Sequence, residues 1–285
     1  AKGMMLCRKR NIRFHLPDIN KSGYSFLPEG TDIRIGFGTI KGLGEKLATF
    51  ILKEREKSPF LSVSDFLYRA FTEGKGLLSK TSFHALCVLG AFKTIYKNTT
   101  VLSMYSDLIF EFIKKYAKKE EKHRGSLNLF EDVCAWASQP PDVDVILKDS
   151  NTNFPERDVS LEDEFEHLGF YATAYPLDAF VKNEDTKTVV ARAIDAPQEF
   201  DGKKIVFGLL LESVRAITTK RGDKMAFISG ESFGSKVDGV LFPEAYQACL
   251  ENLYNGKKAF KMIATGQYRD ERMQFIIRNM LPLEK

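Results

Sequence analysis

The chain has 285 residues, 44% of them hydrophobic and 28% charged, which is enough apolar material for two or three compact units. No apolar run approaches the roughly 18 residues of a membrane span, and no signal peptide is visible, so the sequence predicts a cytoplasmic protein without a membrane partner. The cysteines form no C-x-x-C pair, which argues against a zinc site or disulfide framework and predicts free thiols. They are Cys7, Cys87, Cys134 and Cys249.

The net charge of +4 is divided unevenly along the chain. Residues 1–125 carry 23 Lys and Arg against 12 Asp and Glu, residues 126–195 carry 5 against 15, and residues 196–285 carry 14 against 11. A basic block, an acidic connector and a mildly basic block are typical of a nucleic-acid-binding chain with an acidic hinge. Lysine pairs are also common on a solvated helix face, so the charge supports this interpretation without deciding it.

The first residues predict the end of a helix that begins upstream of the chain. No N-cap residue precedes Met4, Met5 and Leu6, and residues 1–14 therefore read as a helix tail. The sequence LPDINKSG at 16–23 follows, and its Pro, Asn and Gly predict a turn region.

Four glycines lie between Ile33 and Glu56, directly before a run with helical spacing. A dinucleotide site needs G-x-G-x-x-G, but the sixth position is Lys41 when the frame starts at Gly36 and Leu47 when it starts at Gly42. A P-loop needs Gly-Lys followed by Ser or Thr, and no Gly-Lys pair in the chain has that neighbour. Both nucleotide-binding interpretations are therefore disfavoured.

The remaining interpretation is a helix-hairpin-helix element that binds a nucleic-acid backbone. In IKGLG at 40–44, the Gly-hydrophobic-Gly segment forms the hairpin, and the apolar residues after it recur at i, i+3 and i+4. Glycines let a phosphate approach the backbone, and the N–H groups of the next helix point at the anion. We therefore expect duplex DNA binding, without base readout, at Lys41, Gly42, Leu43, Gly44 and Lys46. A glycine-rich turn that only caps a helix is the alternative.

Helices are predicted to dominate up to about residue 122. They comprise the glycine-led helix, Ser64 to Arg69, Ser79 to Leu89, and one long helix from Val101 to Lys119. The sequence SQPP at 138–141 then breaks the chain and opens the acidic connector.

From Lys204 the pattern changes to three strands, one helix and two strands. This is the element order of an OB-fold, a five-stranded barrel that commonly holds single-stranded nucleic acid. A small barrel without a ligand is the alternative. If the barrel binds single-stranded DNA, we expect basic side chains to contact its phosphates and an exposed aromatic ring to stack on a base. Strand alternation alone does not identify which face of the barrel carries that ring. The predicted phosphate contacts are Arg215, Lys220, Arg221 and Lys224, and the predicted stacking residue is Phe227.

Several separate blocks, in the right order, resemble the alpha subunit of bacterial DNA polymerase III. They are LPDINKSG at 16–23, PEG at 28–30, IRIG at 33–36, IKGLG at 40–44, LGFY at 168–171, PLD at 176–178 and TKRGDKMAF at 219–227. The resemblance covers nearly the whole chain and implies a multidomain α+β fold, with an all-α helix-hairpin-helix unit followed by a C-terminal OB-fold β-barrel. It implies the end of a fingers domain at 1–35, a DNA-binding and clamp-binding helical domain at 36–135, an acidic connector at 136–197 and the OB domain at 198–285.

The resemblance also implies that the polymerizing palm lies outside this chain. The full-length parent would synthesise DNA with Mg²⁺, whereas this fragment would need no cofactor and hold no metal or catalytic residue. Asp142 and Asp144 form a D-x-D pair like that of a polymerase palm, but they lie in the Pro-rich break. His167 with Glu164 and Glu166 reads as a solvated helix start rather than a metal cluster. The other histidines lack a partner at ligand spacing, and they are His15, His84 and His123.

A short apolar motif resembles the peptide by which this family docks on the sliding clamp. It comprises Ser126, Leu127, Asn128, Leu129 and Phe130, with the last two as the apolar anchors. Ser126 stands where the usual pattern has Gln, which removes an amide contact. The preceding lysine-rich helix should end by about residue 124, and packing of the motif into the protein's own core is the alternative.

Two function classes therefore stay open. The first is the DNA- and clamp-binding C-terminal part of a replicative polymerase, which would also meet other subunits of the replication holoenzyme. The second is a free-standing helix-hairpin-helix and OB module of a repair or RNA-binding protein. A helix that begins upstream of residue 1 favours the first class.

Overall fold

A computed structural model of the chain describes residues 2–126, 140–180, 184–254 and 258–283. Its contacts divide the chain into two units. The helical unit is Arg10–Thr173, and the barrel unit combines Ala1–Lys9 with Ala174–Lys285. The division falls inside the acidic segment 136–197, so both units contain part of it. None of the helices in the described ranges has the length and apolar character needed to cross a membrane.

The first helix, α1 (Lys2–Lys9), is part of the barrel unit. The Arg8 guanidinium donates to the backbone carbonyl of Ala174 at 3.0 Å and lies 5.7 Å from the Tyr175 ring centroid. Helical structure was expected to continue to residue 14, but it stops at Lys9. Asn11 adopts a φ of 57°, in the left-handed region, where an α-helix cannot continue.

A small sheet opens the helical unit. Its strands are β1 (Phe14–His15), β2 (Leu27–Glu29) and β3 (Asp32–Arg34), in the order β1-β3-β2. The buried Asp32 carboxylate accepts hydrogen bonds from the backbone N–H and the Nε–H of Arg13, and these contacts lower the pKa of Asp32 despite burial. Strands of two or three residues are too short to show alternation, which explains why the sequence predicts only a turn region here.

Helices make up the rest of this unit. After a one-turn 3-10 helix at Phe37–Thr39 they are α2 (Glu45–Lys57), α3 (Val63–Thr72), α4 (Lys80–Val88), α5 (Thr99–Met104), α6 (Ser106–Ser126), α7 (Val143–Ile146) and α8 (Leu161–Leu168). Polar side chains before the helices accept first-turn N–H groups and so fix where the helices begin. These caps are Ser62, Ser79, Asn98, Asp142 and Ser160.

One long helix over 101–119 was predicted, but two helices are present. The chain turns at Tyr105, whose φ of −104° and ψ of 14° are not helical. The next residue, Ser106, is buried, and its hydroxyl lies 2.8 Å from Nδ1 of His84. A hydrogen bond to a side chain on another helix therefore fixes the start of α6, and local periodicity carries no trace of it.

Aromatic rings dominate the core of the helical unit. Phe66 packs against Phe60 and Phe92 with ring centroids 5.2 Å apart in both pairs, and Phe83 lies 5.7 Å from Phe92. All four side chains are buried, and such pairs add roughly 0.5–1.5 kcal/mol beyond the area that they bury. This core joins α3 and α4, and α4 also contacts the hairpin at 41–44 through Ser82.

The barrel unit contains a closed five-stranded barrel. Its strands are β4 (Lys204–Thr218), β5 (Lys224–Ser232), β6 (Ser235–Leu241), β7 (Ala259–Arg269) and β8 (Arg272–Pro282), in the order β4-β5-β6-β8-β7. All neighbours are antiparallel except β6 and β8, which are parallel. This connectivity and the closed barrel confirm the predicted OB-like fold.

Three helices and a 3-10 turn at Asp178–Phe180 surround the barrel, namely α9 (Glu184–Asp195), α10 (Pro197–Phe200) and α11 (Pro243–Tyr254). Inward-facing Phe207 and Phe275 lie 5.1 Å apart, and α9 and α11 contribute buried Val190 and Cys249 to the same core. The predicted fold class, a helical unit followed by a C-terminal barrel, is therefore confirmed, with the small sheet as an addition.

Candidate nucleic-acid interface

The hairpin at 41–44 presents open backbone to solvent at its two glycines. Gly42 and Gly44 have φ values of 80° and 65°, a region that L-residues rarely adopt, and a Cβ at either would meet no atom within 4 Å. Leu43 between them is 2% exposed and anchors the turn in the core. A flat ligand can therefore reach the peptide groups directly.

The hairpin leads into the N-terminus of α2. Gly44 is the N-cap of this helix and has no side chain to accept the first-turn N–H groups. A helix start of this kind carries partial positive charge and favours an anion. Lys46 is exposed in the first turn and adds positive charge, while Glu45 beside it opposes this effect.

Two other helices hold the hairpin in place. The backbone N–H of Lys41 donates to the carbonyl of His167 on α8 at 2.8 Å, and Ser82 Oγ on α4 donates to the carbonyl of Gly42 at 3.1 Å. The Lys41 ammonium donates to the Phe165 carbonyl at 3.2 Å, near the C-terminal end of α8. Lys41 was predicted to contact duplex DNA, and in the structure its exposed side chain also contacts α8.

A buried carboxylate fixes the end of α8. Glu164 is fully buried and accepts hydrogen bonds from the backbone N–H groups of Ala172 and Thr173 and from the Thr173 hydroxyl. The expectation that Glu164 belongs to a solvated helix start was therefore wrong. The carboxylate accepts hydrogen bonds from backbone N–H groups after α8 that water would otherwise accept. The sequence shows only a run of acidic residues there and does not indicate that one of them is buried.

A groove of about 750 Å³ lies on the outer surface of the barrel. It is lined by Ser213, Arg215, Phe227, Ile228, Ser229, Asp238, Gly239, Arg269, Asp270, Arg272, Met273 and Gln274. These residues come from β4, β5 and β6, from the end of β7, from the start of β8 and from the turn that joins β7 to β8. In OB-folds this is the face formed by the second and third strands and by the turn between the last two.

Phe227 and Arg215 meet in this groove. They are directly opposite each other on β5 and β4, and the guanidinium carbon lies 5.1 Å from the ring centroid. Phe227 is half-buried, while its neighbours Ala226 and Ile228 are buried inside the barrel. The ring therefore faces outward, which is the condition that the stacking prediction required.

The other predicted phosphate contacts do not line the groove. Lys220 and Arg221 lie in the exposed turn after β4, and Lys224 is exposed at the start of β5. Arg269 and Arg272, which were not among the predicted contacts, do line the groove. The two acidic residues Asp238 and Asp270 offset part of this positive charge.

Asp142 and Asp144 both have structural partners. Asp142 Oδ1 accepts the backbone N–H of Val143 and caps α7, while Asp144 Oδ1 accepts the Tyr96 hydroxyl at 3.0 Å. Burial and the hydrogen bond to Asp144 raise the pKa of Tyr96. Within the described part of the chain, no three His, Cys, Asp or Glu side chains are arranged to hold a metal ion.

Part of the predicted site falls outside the described residues. Helix α6 ends at Ser126 rather than at about residue 124. The other clamp-motif residues, Leu127, Asn128, Leu129 and Phe130, lie in the segment 127–139, outside the described ranges, as does Cys134. Cys7, Cys87 and Cys249 are free, and burial raises the pKa of the Cys87 thiol.

Comparison with known families first gives the class of motif in the helical unit. A family model described as "Helix-hairpin-helix motif" matches residues 11–102. The match contains the small sheet, the hairpin and the helices α2 to α4, so the predicted helix-hairpin-helix element is confirmed.

Comparison with curated proteins confirms the wider resemblance, which is to the alpha subunit of bacterial DNA polymerase III. The subunit from Bacillus subtilis is 27% identical over 266 residues, covering 93% of this chain and 22% of the relative. That from Borreliella burgdorferi is 28% identical over 274 residues, covering 94% and 23%. That from Staphylococcus aureus is 25% identical over 277 residues, covering 97% and 24%. The chain therefore spans about a quarter of the length of these relatives.

One solved structure, RecG bound to a three-way DNA junction, matches with 15% sequence identity and a TM-score of 0.22. The match covers 81% of this chain and 34% of that chain. At that score it says nothing about the function of this chain.

Proposed function

We propose that this chain is the DNA-binding and clamp-binding C-terminal region of a replicative bacterial DNA polymerase. The similarity to DNA polymerase III alpha subunits over 93–97% of the chain supports this role. The full-length parent would carry out template-directed synthesis with Mg²⁺, in the cytoplasm and together with the other subunits of a replication holoenzyme. A free-standing repair or RNA-binding module would have no reason to resemble a polymerase subunit along both units.

The observation that carries the proposal is the hairpin at Gly42 and Gly44. Its open glycines and its uncapped helix start suit a phosphate of duplex DNA. Peptide N–H groups cannot distinguish base pairs when they contact only the backbone. The helical unit would therefore hold duplex DNA without sequence preference, and Lys46 would add charge.

The barrel unit would hold single-stranded DNA in its groove. Phe227 offers a ring for base stacking, and Arg215, Arg269 and Arg272 offer positive charge to phosphates. Lys220, Arg221 and Lys224 would contact phosphates at the far end of the same face. This combination of aromatic rings and basic residues tolerates any base sequence, as a replicative polymerase requires.

The clamp would bind the motif from Ser126 to Phe130. Leu129 and Phe130 would fill an apolar pocket on the clamp, since two such anchors can carry most of a small interface. This assignment comes from the resemblance of the motif to the family's docking peptide.

The chain by itself would bind DNA without extending it. Asp142 and Asp144 have the structural partners described above, and the palm of the parent would supply the catalytic carboxylates. Primed template, deoxynucleotides and Mg²⁺ added to the 285-residue chain should give no product. Extension that Asp142→Asn abolishes would contradict this.

Fluorescence anisotropy with labelled duplexes of unrelated sequence and with labelled oligo-dT tests the two DNA-binding roles. We expect similar affinity for all duplexes, and affinity that falls steeply with salt because bound phosphates release counterions. A strong preference for one duplex sequence, or affinity independent of salt, would contradict the duplex role. Oligo-dT that does not bind would contradict the single-strand role of the barrel.

A further inference from the structure

The outer face of the barrel continues past Phe227 with a row of apolar side chains. Ile217 on β4 is directly opposite Met225 on β5. Ala226 is directly opposite Leu241, the last residue of β6, so the backbone of Phe242, the next residue of the chain, leaves the strand next to Met225. The row formed by Ile217, Met225 and Phe242 is thus one two-residue step along the strands from Phe227.

This apolar row is exposed. Phe242 is 47% exposed and Ile217 is 37% exposed, while Met225 is half-buried. Neither Phe242 nor Ile217 belongs to the buried core of the barrel unit. Single exposed apolar side chains are common on protein surfaces, so a ligand is indicated here by the neighbouring Phe227 and by the charges around the row rather than by exposure alone.

The backbone of Phe242 is held rigidly. Its carbonyl accepts the Tyr246 N–H at 2.8 Å, which closes the first turn of α11, and Pro243 fixes the next φ angle. The ring is therefore presented from a fixed position between β6 and α11. A ring with a fixed backbone loses little conformational entropy when a flat ligand packs on it.

We propose that Phe242 is a second stacking platform for single-stranded DNA, next to Phe227. The inference rests on the proposed function of the barrel. Phe227 is directly opposite Val240, so Phe242 is its diagonal neighbour, at a typical Cα separation of about 7–8 Å. A stacked strand advances about 3.4 Å per base, so this separation is about two stacked steps or one extended step. One strand of DNA can therefore place bases on both rings.

The charges around the row favour a nucleic acid as the occupant. The turn after β4 carries exposed Lys220 and Arg221 against one exposed acid, Asp223, and Lys224 follows at the start of β5. The row thus lies between the basic groove and a basic turn. Exposed Glu244 in the first turn of α11 is the acidic residue next to Phe242 in sequence. A strand that leaves the groove along this face passes Phe227 and Phe242 before it reaches the lysines.

Two measurements on the 285-residue chain test the platform. The first is the affinity for oligo-dT of about 4 to 16 nucleotides, the range of single OB-fold sites. Phe242→Ala should leave short oligonucleotides unaffected and weaken long ones about tenfold. Phe112→Ala removes another exposed aromatic ring, on α6 of the helical unit, and should change neither.

The second measurement uses an indole placed on the platform. The sequence contains one tryptophan, Trp136, so Trp136→Phe with Phe242→Trp leaves a single reporter. Oligo-dT should quench its fluorescence, and long oligonucleotides should quench it more than short ones. Affinity should be retained because an indole also stacks on bases.

The outcomes separate the platform from the function on which it rests. If Phe227→Ala weakens oligo-dT binding while Phe242→Ala does not at any length, and the indole is not quenched, the platform is wrong and the groove stands. If the unsubstituted chain does not bind oligo-dT, the single-strand role of the barrel fails and the platform fails with it.

Discussion

The hairpin and the barrel groove are built from different parts of the chain. At the hairpin, Gly42 and Gly44 expose peptide groups, and the nearest long side chain, Lys41, contacts α8. In the groove, the backbone N–H and C=O groups of the strands pair with neighbouring strands of the barrel. Side chains such as Arg215 and Phe227 are therefore the groups available to a ligand. The hairpin surface therefore depends on the backbone conformation of its glycines, whereas the groove surface depends on which side chains line it.

This difference predicts how each surface responds to substitution. A surface of peptide groups depends on the whole turn, so one strained residue displaces every N–H group at once. A surface of side chains is divisible, because each ring or guanidinium can be removed while the strands keep their hydrogen bonds. Substitutions in the hairpin should therefore act as a unit, and those in the groove should act in increments.

The largest effect is expected from Gly42→Val with Gly44→Val. Non-glycine residues in the left-handed region cost about 1–2 kcal/mol each, so the hairpin must either hold this strain or move. In both cases duplex binding should be lost for every sequence, while oligo-dT binding by the barrel stays unchanged. Anisotropy with both ligands measures this.

A matched control separates strain from position. Gly76, between α3 and α4, has a φ of 87° and equally open surroundings, so Gly76→Val introduces strain of the same kind at one position in another turn. It should lower the free energy of unfolding of the chain and leave duplex affinity intact. Equal loss of duplex binding in both variants would mean that the hairpin has no special role.

The next effect is expected from Glu164→Ala. The substitution removes the acceptor for the Ala172 N–H, a buried group, and should cost about 1–3 kcal/mol in the free energy of unfolding. Because α8 also holds the Lys41 N–H through His167, duplex affinity should fall with it, while oligo-dT affinity should not. Glu166→Ala, on the exposed side of the same helix, is the control and should have no effect. If Glu164→Ala lowered the affinity for oligo-dT but not for duplex DNA, the proposed link between α8 and the hairpin would be wrong.

The groove should lose affinity in smaller steps. Phe227→Ala should weaken oligo-dT binding by about 1–3 kcal/mol, the usual value of one stacked base, with the salt dependence unchanged. Arg215→Ala should instead reduce the salt dependence, because one phosphate contact is lost. Leu281→Ala, an exposed apolar residue on β8, is the control. Duplex binding that falls as much as oligo-dT binding would contradict the division of roles.

The sequence predicted the hairpin and the barrel because both depend on local signals. The hairpin follows from the spacing of Gly42, Leu43 and Gly44, and the barrel follows from the order of strands and turns. Neither requires knowledge of distant contacts. The relatives and the family model support the same two elements.

The contacts that complete the two surfaces are long-range. Lys41 contacts Phe165, 124 positions later in the chain, and no local pattern carries this information. The outward direction of Phe227 depends on how the barrel closes, since a shift of one residue would turn every side chain over. The register shift in β4 between Leu211 and Ser213 is a shift of this kind. Arg269 and Arg272 likewise line the groove only because barrel closure brings β7 and β8 next to the other strands.

The smallest effect is expected from a single substitution, Ser126→Gln, in the clamp motif, which lies apart from both surfaces in the sequence. Restoring the amide with Ser126→Gln should strengthen clamp binding by about 0.5–1.5 kcal/mol, because it adds one hydrogen-bonding side chain. Leu129→Ala with Phe130→Ala is the reference variant and should abolish clamp binding, since it removes both apolar anchors. Both variants should bind duplex DNA and oligo-dT as tightly as the unsubstituted chain does, because the motif is not part of either DNA-binding surface. A pull-down in which the double alanine variant retains the clamp as well as the parent does would end the assignment.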